Sequence, residues 1–328
     1  MSPGRWGGVG LVLALVAGAG CEDLLQAGRS AFGTAAPDST PQGSTPRSPP
    51  PGQEQPAPGG VARQSPLLEA RPDLLGRPAW EGERSGVADN LRAIFEDEGA
   101  EGVIVVHDLR SGATLRSDSV RAGRRAIPAS TFKILNALIA LETGVISGSA
   151  DTIPWDGVDR GAPAWNRDHD LASAFRASAV WYYQELARRV GLERMEAWLR
   201  RIGYGNSDVG GVVDGFWLDG PLAVSPDEQI GFLRRLQSGQ LPFSTRSMEV
   251  VREIMVLERG ADWTLRGKTG WSRQGLTEGL WFVGWVERGD DAAFFAIEFE
   301  ISSPNRDVGM MRERIYRRTL SELGLIPS

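Results

Sequence analysis

In this 328-residue chain the segment Ser130-Thr-Phe-Lys133 combines residue types and spacing that could do chemistry. It follows Pro128 and opens an apolar helical run, so the three-residue spacing puts a hydroxyl and an amine on one helix face, one turn apart. An amine that takes the hydroxyl proton makes the serine an activated nucleophile. Taken alone the pattern is weak, and a solvated helix start accounts for it as well. The lysine count changes the balance. Of 36 basic side chains only Lys133 and Lys268 are lysine, and the second sits in Lys268-Thr-Gly270. Arginine is not deprotonated in practice, whereas a lysine whose pKa is lowered can act as a base. Chance is a poor account of that placement.

These groups need elements to hold them. Strands are expected at Gly102–Asp108, Leu280–Val286 and Ala293–Ile301, the last two forming an antiparallel hairpin across Glu287–Asp291. A short strand is expected over Thr264–Thr269, near whose end Lys268 falls. Helical periodicity marks Lys133–Leu141, Trp181–Val190, Leu192–Ile202, Asp227–Leu236 and Val308–Leu323. Strands at both ends with helices between imply an α+β fold, its sheet assembled from both termini around a helical insertion.

Composition narrows the chemistry. Hydrophobic residues at 41% and charged residues at 24% suit a globular chain with a real core. A net charge of −6 and a pI near 5.2 argue against a nucleic-acid partner, since phosphates need a basic face. One cysteine and two histidines exclude a disulfide framework and a Cys/His zinc cluster, so no metal is expected. Residues 1–20 read as an export signal, with Arg5 basic, Val9–Ala19 apolar and small residues before Cys21. That stretch is too short to span a bilayer. Nine of the 20 prolines fall between Pro37 and Pro66, so residues 21–79 read as a semi-rigid linker and residues 80–328 as the catalytic domain.

The order Pro128-Ala-Ser-Thr-Phe-Lys133, Ser178-Ala-Val180, Tyr204-Gly-Asn206, Phe216-Trp-Leu218 and Lys268-Thr-Gly270 resembles that of the class D, or oxacillinase-type, serine β-lactamases, a branch of the penicillin-recognising serine enzymes. The resemblance covers roughly residues 85–325. It implies a β-lactamase/transpeptidase-like fold, with a central antiparallel sheet flanked by helices and an all-helical subdomain, and a hydrolase that opens β-lactams through an acyl-enzyme on Ser130. The alternatives are a β-lactam sensor or a penicillin-binding protein that stays acylated. A free lysine, with pKa about 10.4, is protonated at neutral pH and accepts no proton. The resemblance implies that Lys133 is instead carboxylated by CO2 or bicarbonate to an N6-carboxylysine, in a dry pocket of Phe132, Val180 and Leu218, with the Trp217 indole N–H holding the carbamate. No other cofactor is expected.

Ser178 on its own could cap the helix that follows it; the resemblance gives it the proton for the β-lactam nitrogen. Lys268, Thr269 and Gly270 would face the substrate, with Trp271 joining Ser130 in an oxyanion hole of backbone N–H groups. Arg312 is the positional match for the arginine that clamps the substrate carboxylate, with Arg306 and Arg314 as competitors. Tyr204 and Asn206 read as structural. Gly18-Ala19-Gly20-Cys21 resembles a lipoprotein signal, which would lipidate Cys21, fix the chain to a membrane and place the domain in the periplasm; the other outcome is cleavage and secretion. His107, His169, Trp155 and Trp165 read as structural. Oligomeric state is not legible in the sequence.

Overall fold

The computed structural model describes residues 84–302 and 307–327. The export signal, Cys21, the linker and Arg306 lie outside the described residues. Six strands form one antiparallel sheet: β1 (Glu101–Asp108), β2 (Thr114–Arg116), β5 (Val256–Arg259), β6 (Thr264–Gln274), β7 (Thr277–Arg288) and β8 (Asp291–Ile301), in spatial order β2-β1-β8-β7-β6-β5. The first and last parts of the chain meet where β1 pairs with β8, Val103 opposite Glu298 and Val105 opposite Ala296. The expected hairpin is present: Arg288 faces Asp291 across a two-residue turn in which Gly289 takes a φ of +58°.

Strands β7 and β8 are buried along nearly their whole length because both sheet faces are covered. Alternate residues enter two cores. Val103, Val105, Trp281, Val283, Trp285 and Phe294 join the core under the helical insertion. Ile104, Val106, Leu280, Phe282, Phe295 and Ile297 join a core capped by α1 (Arg84–Glu98) and α9 (Val308–Glu322).

The insertion contains α2 (Ser119–Ala122), α3 (Lys133–Glu142), the short pair β3 (Thr152–Ile153) and β4 (His169–Asp170), α4 (Leu171–Ala177), α5 (Val180–Val190), α6 (Leu192–Ile202), α7 (Pro226–Gln237) and α8 (Thr245–Ile254). The start of α7 matches its sequence: Ser225 and Glu228 form a capping box around Pro226 at the first position. Helices α1, α2, α4 and α8 go beyond the sequence expectation. Strand β6 is also longer than expected, reaching Gln274, so Lys268 lies in mid-strand rather than near an end.

One buried ion pair ties insertion to sheet. Arg121 of α2 donates through Nε and Nη2 to the Glu298 carboxylate on β8, at 2.8 and 3.1 Å, with side chains 10% and 3% exposed. Removing one partner leaves the other charge buried and unpaired. Arg121→Ala is therefore expected to lower folding stability by about 3 kcal/mol, read as an earlier urea midpoint with an unchanged slope.

Candidate active site

The serine lies in a tight turn that several contacts hold in place. Residues Ala129–Phe132 form a single 3-10 turn that runs into α3, and buried Ala129 adopts φ +48°, a strained value for a residue with a side chain. Thr131 donates its N–H and hydroxyl to Pro128 O, at 3.1 and 2.7 Å. Buried Gln229 of α7 donates to Thr131 Oγ1 at 3.0 Å and to Tyr204 Oη at 3.1 Å. From the sheet, Trp281 Nε1 donates to Ile127 O at 2.9 Å. Gly270 completes the seat, because a Cβ there would lie 2.9 Å from Pro128 O.

Lys133 is wholly buried, and its Nζ donates to Ser130 Oγ at 2.6 Å and to Ser178 Oγ at 3.2 Å. Burial, then the charge of Lys268, holds its amine well below the ordinary lysine range. No carboxylate among the described residues pairs with it. Its surroundings are aromatic: Nζ lies 5.6 Å from the Tyr183 ring centre, and Phe132 packs 5.3 Å from Trp217 and 5.0 Å from Phe216. Leu218 packs against the same core half-buried, and Val180, also half-buried, opens α5. Trp217 is fully buried, yet among the described residues its Nε1 has no hydrogen-bond partner. Such an orphan donor is costly unless something accepts from it. A lone donor, an amine of lowered pKa and apolar walls fit an anionic group on Lys133.

Ser178 does not cap α5, correcting one of its two sequence readings. It ends α4 in the left-handed region, φ +54° and ψ +34°, and Ala179 caps α5. Trp165 braces this corner: its Nε1 donates to Ala177 O, and its own carbonyl accepts from Trp181 Nε1, both at 2.9 Å.

The third side of the site is the outer edge of β6. Strand β5 pairs only as far as Arg266, so residues 268–274 have no outer strand neighbour. Gly267 donates its N–H to Met255 O, away from β7. Peptide groups alternate direction along a strand, and the β6–β7 register is unbroken. The Trp271 N–H, four residues on, therefore points to the same free edge, and the serine turn packs against this strand at Gly270. Lys268 is 4% exposed, and its Nζ reaches Thr269 O at 3.2 Å and lies 5.5 Å from the Phe175 ring centre. Burial, then the Arg312 charge, lowers its pKa to about 7.

Arg312 stands over this edge from α9, its guanidinium carbon 5.7 Å from the Trp271 ring centre. Arg314 faces elsewhere, bound through both nitrogens to Glu98 at 2.7 and 2.8 Å. Of the two candidate arginines that lie within the described residues, Arg312 is the one at the site. Lys133, Lys268 and Arg312 are thus gathered with no paired acid among the described residues, an arrangement suited to anions.

The remaining residues are structural. Asn206 staples the loop before α7, donating to Pro221 O at 2.7 Å and accepting from Ala223 N at 3.0 Å. His169 is fully buried, bonded to Ser173 Oγ and Ala164 O, each at 3.0 Å. His107 shares a 2.9 Å hydrogen bond with Thr114 Oγ1. Sequence reasoning passed over Gln229, although a polar residue on the apolar stripe of Ile230 and Leu233 is a usable signal. It also passed over Tyr183, whose buried hydroxyl lacks a partner.

Residues 102–321 match the family described as the penicillin-binding protein transpeptidase domain. The chain is 38% identical over 258 residues to beta-lactamase OXA-48 of Klebsiella pneumoniae, covering 77% of this chain and 95% of that protein. With beta-lactamase OXA-2 of Salmonella typhimurium it shares 41% identity over 240 residues, covering 72% and 85%. Among solved structures, the class D beta-lactamase YbXI from Nostoc superposes with a TM-score of 0.69 at 43% identity, covering 72% of this chain and 99% of that one. FUS-1 (OXA-85) from Fusobacterium nucleatum subsp. polymorphum gives 0.69 at 37%, covering 73% and 98%. Relatives of that identity and coverage, joined to the serine–lysine pair packed against β6, place this chain in the class D β-lactamase family.

Proposed function

We propose that the protein hydrolyses the amide bond of β-lactam antibiotics in two steps through an acyl-enzyme on Ser130. The observation that carries this reading is the 2.6 Å contact between Ser130 Oγ and an acid-free, buried Lys133 amine. Carboxylation by CO2 would give Lys133 an anionic carbamate, a base for both half-reactions, and Trp217 Nε1 and Ser178 Oγ are the groups that would hold it. The Ser130 proton leaves toward Lys133 as Oγ attacks the lactam carbonyl carbon. The Ser130 and Trp271 N–H groups stabilise the resulting oxyanion. The ring C–N bond then breaks, and Ser178 Oγ delivers a proton to the departing nitrogen. Lys268 and Arg312 hold the substrate carboxylate, with Thr269 as a hydroxyl donor. Water admitted at the same carbonyl releases the product and frees Ser130.

In the whole chain, residues 1–20 direct export to the periplasm and Cys21 is the lipid attachment point. Residues 21–79 then tether the catalytic domain, residues 80–328.

Turnover of a chromogenic β-lactam should rise when bicarbonate is added to gas-stripped protein. Lys133→Ala should lose deacylation and most acylation, detected as slow formation of a lasting adduct on Ser130 by intact mass. A single stoichiometric burst by the unaltered protein would instead assign it to the sensors or penicillin-binding proteins, and full activity of Lys133→Ala would exclude the lysine as base.

The pH dependence follows from Lys268. It is a cation below about pH 7 and loses its charge as pH rises through that value, so kcat/KM for a carboxylate-bearing β-lactam should fall on the alkaline side with an inflection near 7. Lys268→Arg, always charged, should lose that limb.

A further inference from the structure

Glu278 is a charged side chain for which the reaction above has no use. It is 3% exposed, on β7 directly opposite Arg273 of β6. A carboxylate buried to this extent persists only if its oxygens are well paired. Here the two oxygens are divided. Oε1 accepts from Arg273 Nε and Nη2 at 3.2 and 2.6 Å, and Oε2 accepts from the Trp271 indole Nε1 at 3.0 Å. Trp271 and Glu278 are diagonal neighbours on one sheet face, since Trp271 stands opposite Leu280. The other face of this arrangement is Arg312, whose guanidinium lies against the Trp271 ring and has no carboxylate partner among the described residues.

From this we infer that Glu278 is a positioning residue for recognition of the substrate carboxylate, acting through the Trp271 ring on Arg312. The inference rests on the β-lactamase reading. An indole whose N–H is bonded to a carboxylate cannot rotate freely, so its face stays under the guanidinium. The negative charge at the N–H end also enriches the ring, which strengthens its hold on a cation. A long arginine side chain is thereby ordered before substrate arrives, at no further entropic cost on binding. The effect should fall on binding rather than chemistry, because the direction of the Trp271 N–H is fixed by the β6–β7 ladder and not by its side chain.

The test is a double-mutant cycle on the full-length protein, using a β-lactam that bears the ring carboxylate. Glu278→Ala should raise KM about tenfold and leave kcat within about twofold. In an Arg312→Ala background the same change should add less than about twofold. Glu278→Gln keeps an oxygen for the indole and should recover most of the loss. An equal rise in KM with and without Arg312, or a fall in kcat with KM unmoved, overturns the inference. Should Glu278→Ala fail to fold, Trp271→Phe removes the indole N–H, keeps an aromatic face and is read the same way. Absence of turnover by the unaltered protein would defeat the β-lactamase reading itself, whereas turnover with an additive cycle defeats only the role of Glu278.

Discussion

A lysine amine buried without an acid is the constraint on which the site depends. Transferring an ammonium into a protein interior costs several kcal/mol after relaxation, and Lys133 has no carboxylate to offset it. Burial among Phe132, Trp217 and Tyr183, then the Lys268 charge, lowers its pKa well below the ordinary lysine range, which favours loss of the proton. The nitrogen lies 2.6 Å from a serine hydroxyl. Among the described residues the buried Trp217 N–H has no acceptor, which supports the proposal that the pocket holds more than an amine.

Such a site needs rigid walls, and the fold supplies them from both halves of the chain. Ala129 and Ser178 occupy left-handed backbone conformations that isolated peptides disfavour. The first is held by Trp281, Gln229, Thr131 and the close approach of Gly270, the second by the Trp165–Trp181 brace. Both strained residues stand at the reacting centre, where strain offset by surrounding packing is commonly found. The free edge of β6 beyond Arg266 is the counterpart: a strand left unpaired can present backbone donors to something other than another strand.

Much of this was legible in the sequence because the informative residues are rare types. Two lysines among 36 basic side chains mark the site, and the apolar runs of β7 and β8 declare a doubly covered sheet. Periodicity located α5, α6, α7 and α9 because each buries one clear stripe, whereas α3 shows as an apolar run buried on all sides. What stayed hidden depends on long-range pairing. Helix α1 and strand β5 carry weak local patterns and are defined by what they pack against. Ser178 can be read as a cap from sequence, but not at which helix end, since that depends on where α4 stops. With β6 ending at Thr269 and β7 beginning at Leu280, as local pattern alone suggests, Glu278 has no cross-strand neighbour. Extending both to the Gly275–Leu276 turn places Arg273 and Glu278 opposite one another.

In the proposed mechanism the lowered pKa of the Lys133 amine lets it carry carboxylate. The direct measurement is carbon NMR of the protein equilibrated with isotopically labelled bicarbonate. The account predicts one carbamate resonance, absent in Lys133→Ala and retained in Ser130→Ala. A spectrum without that resonance, in protein that turns over β-lactam at full rate, would contradict it.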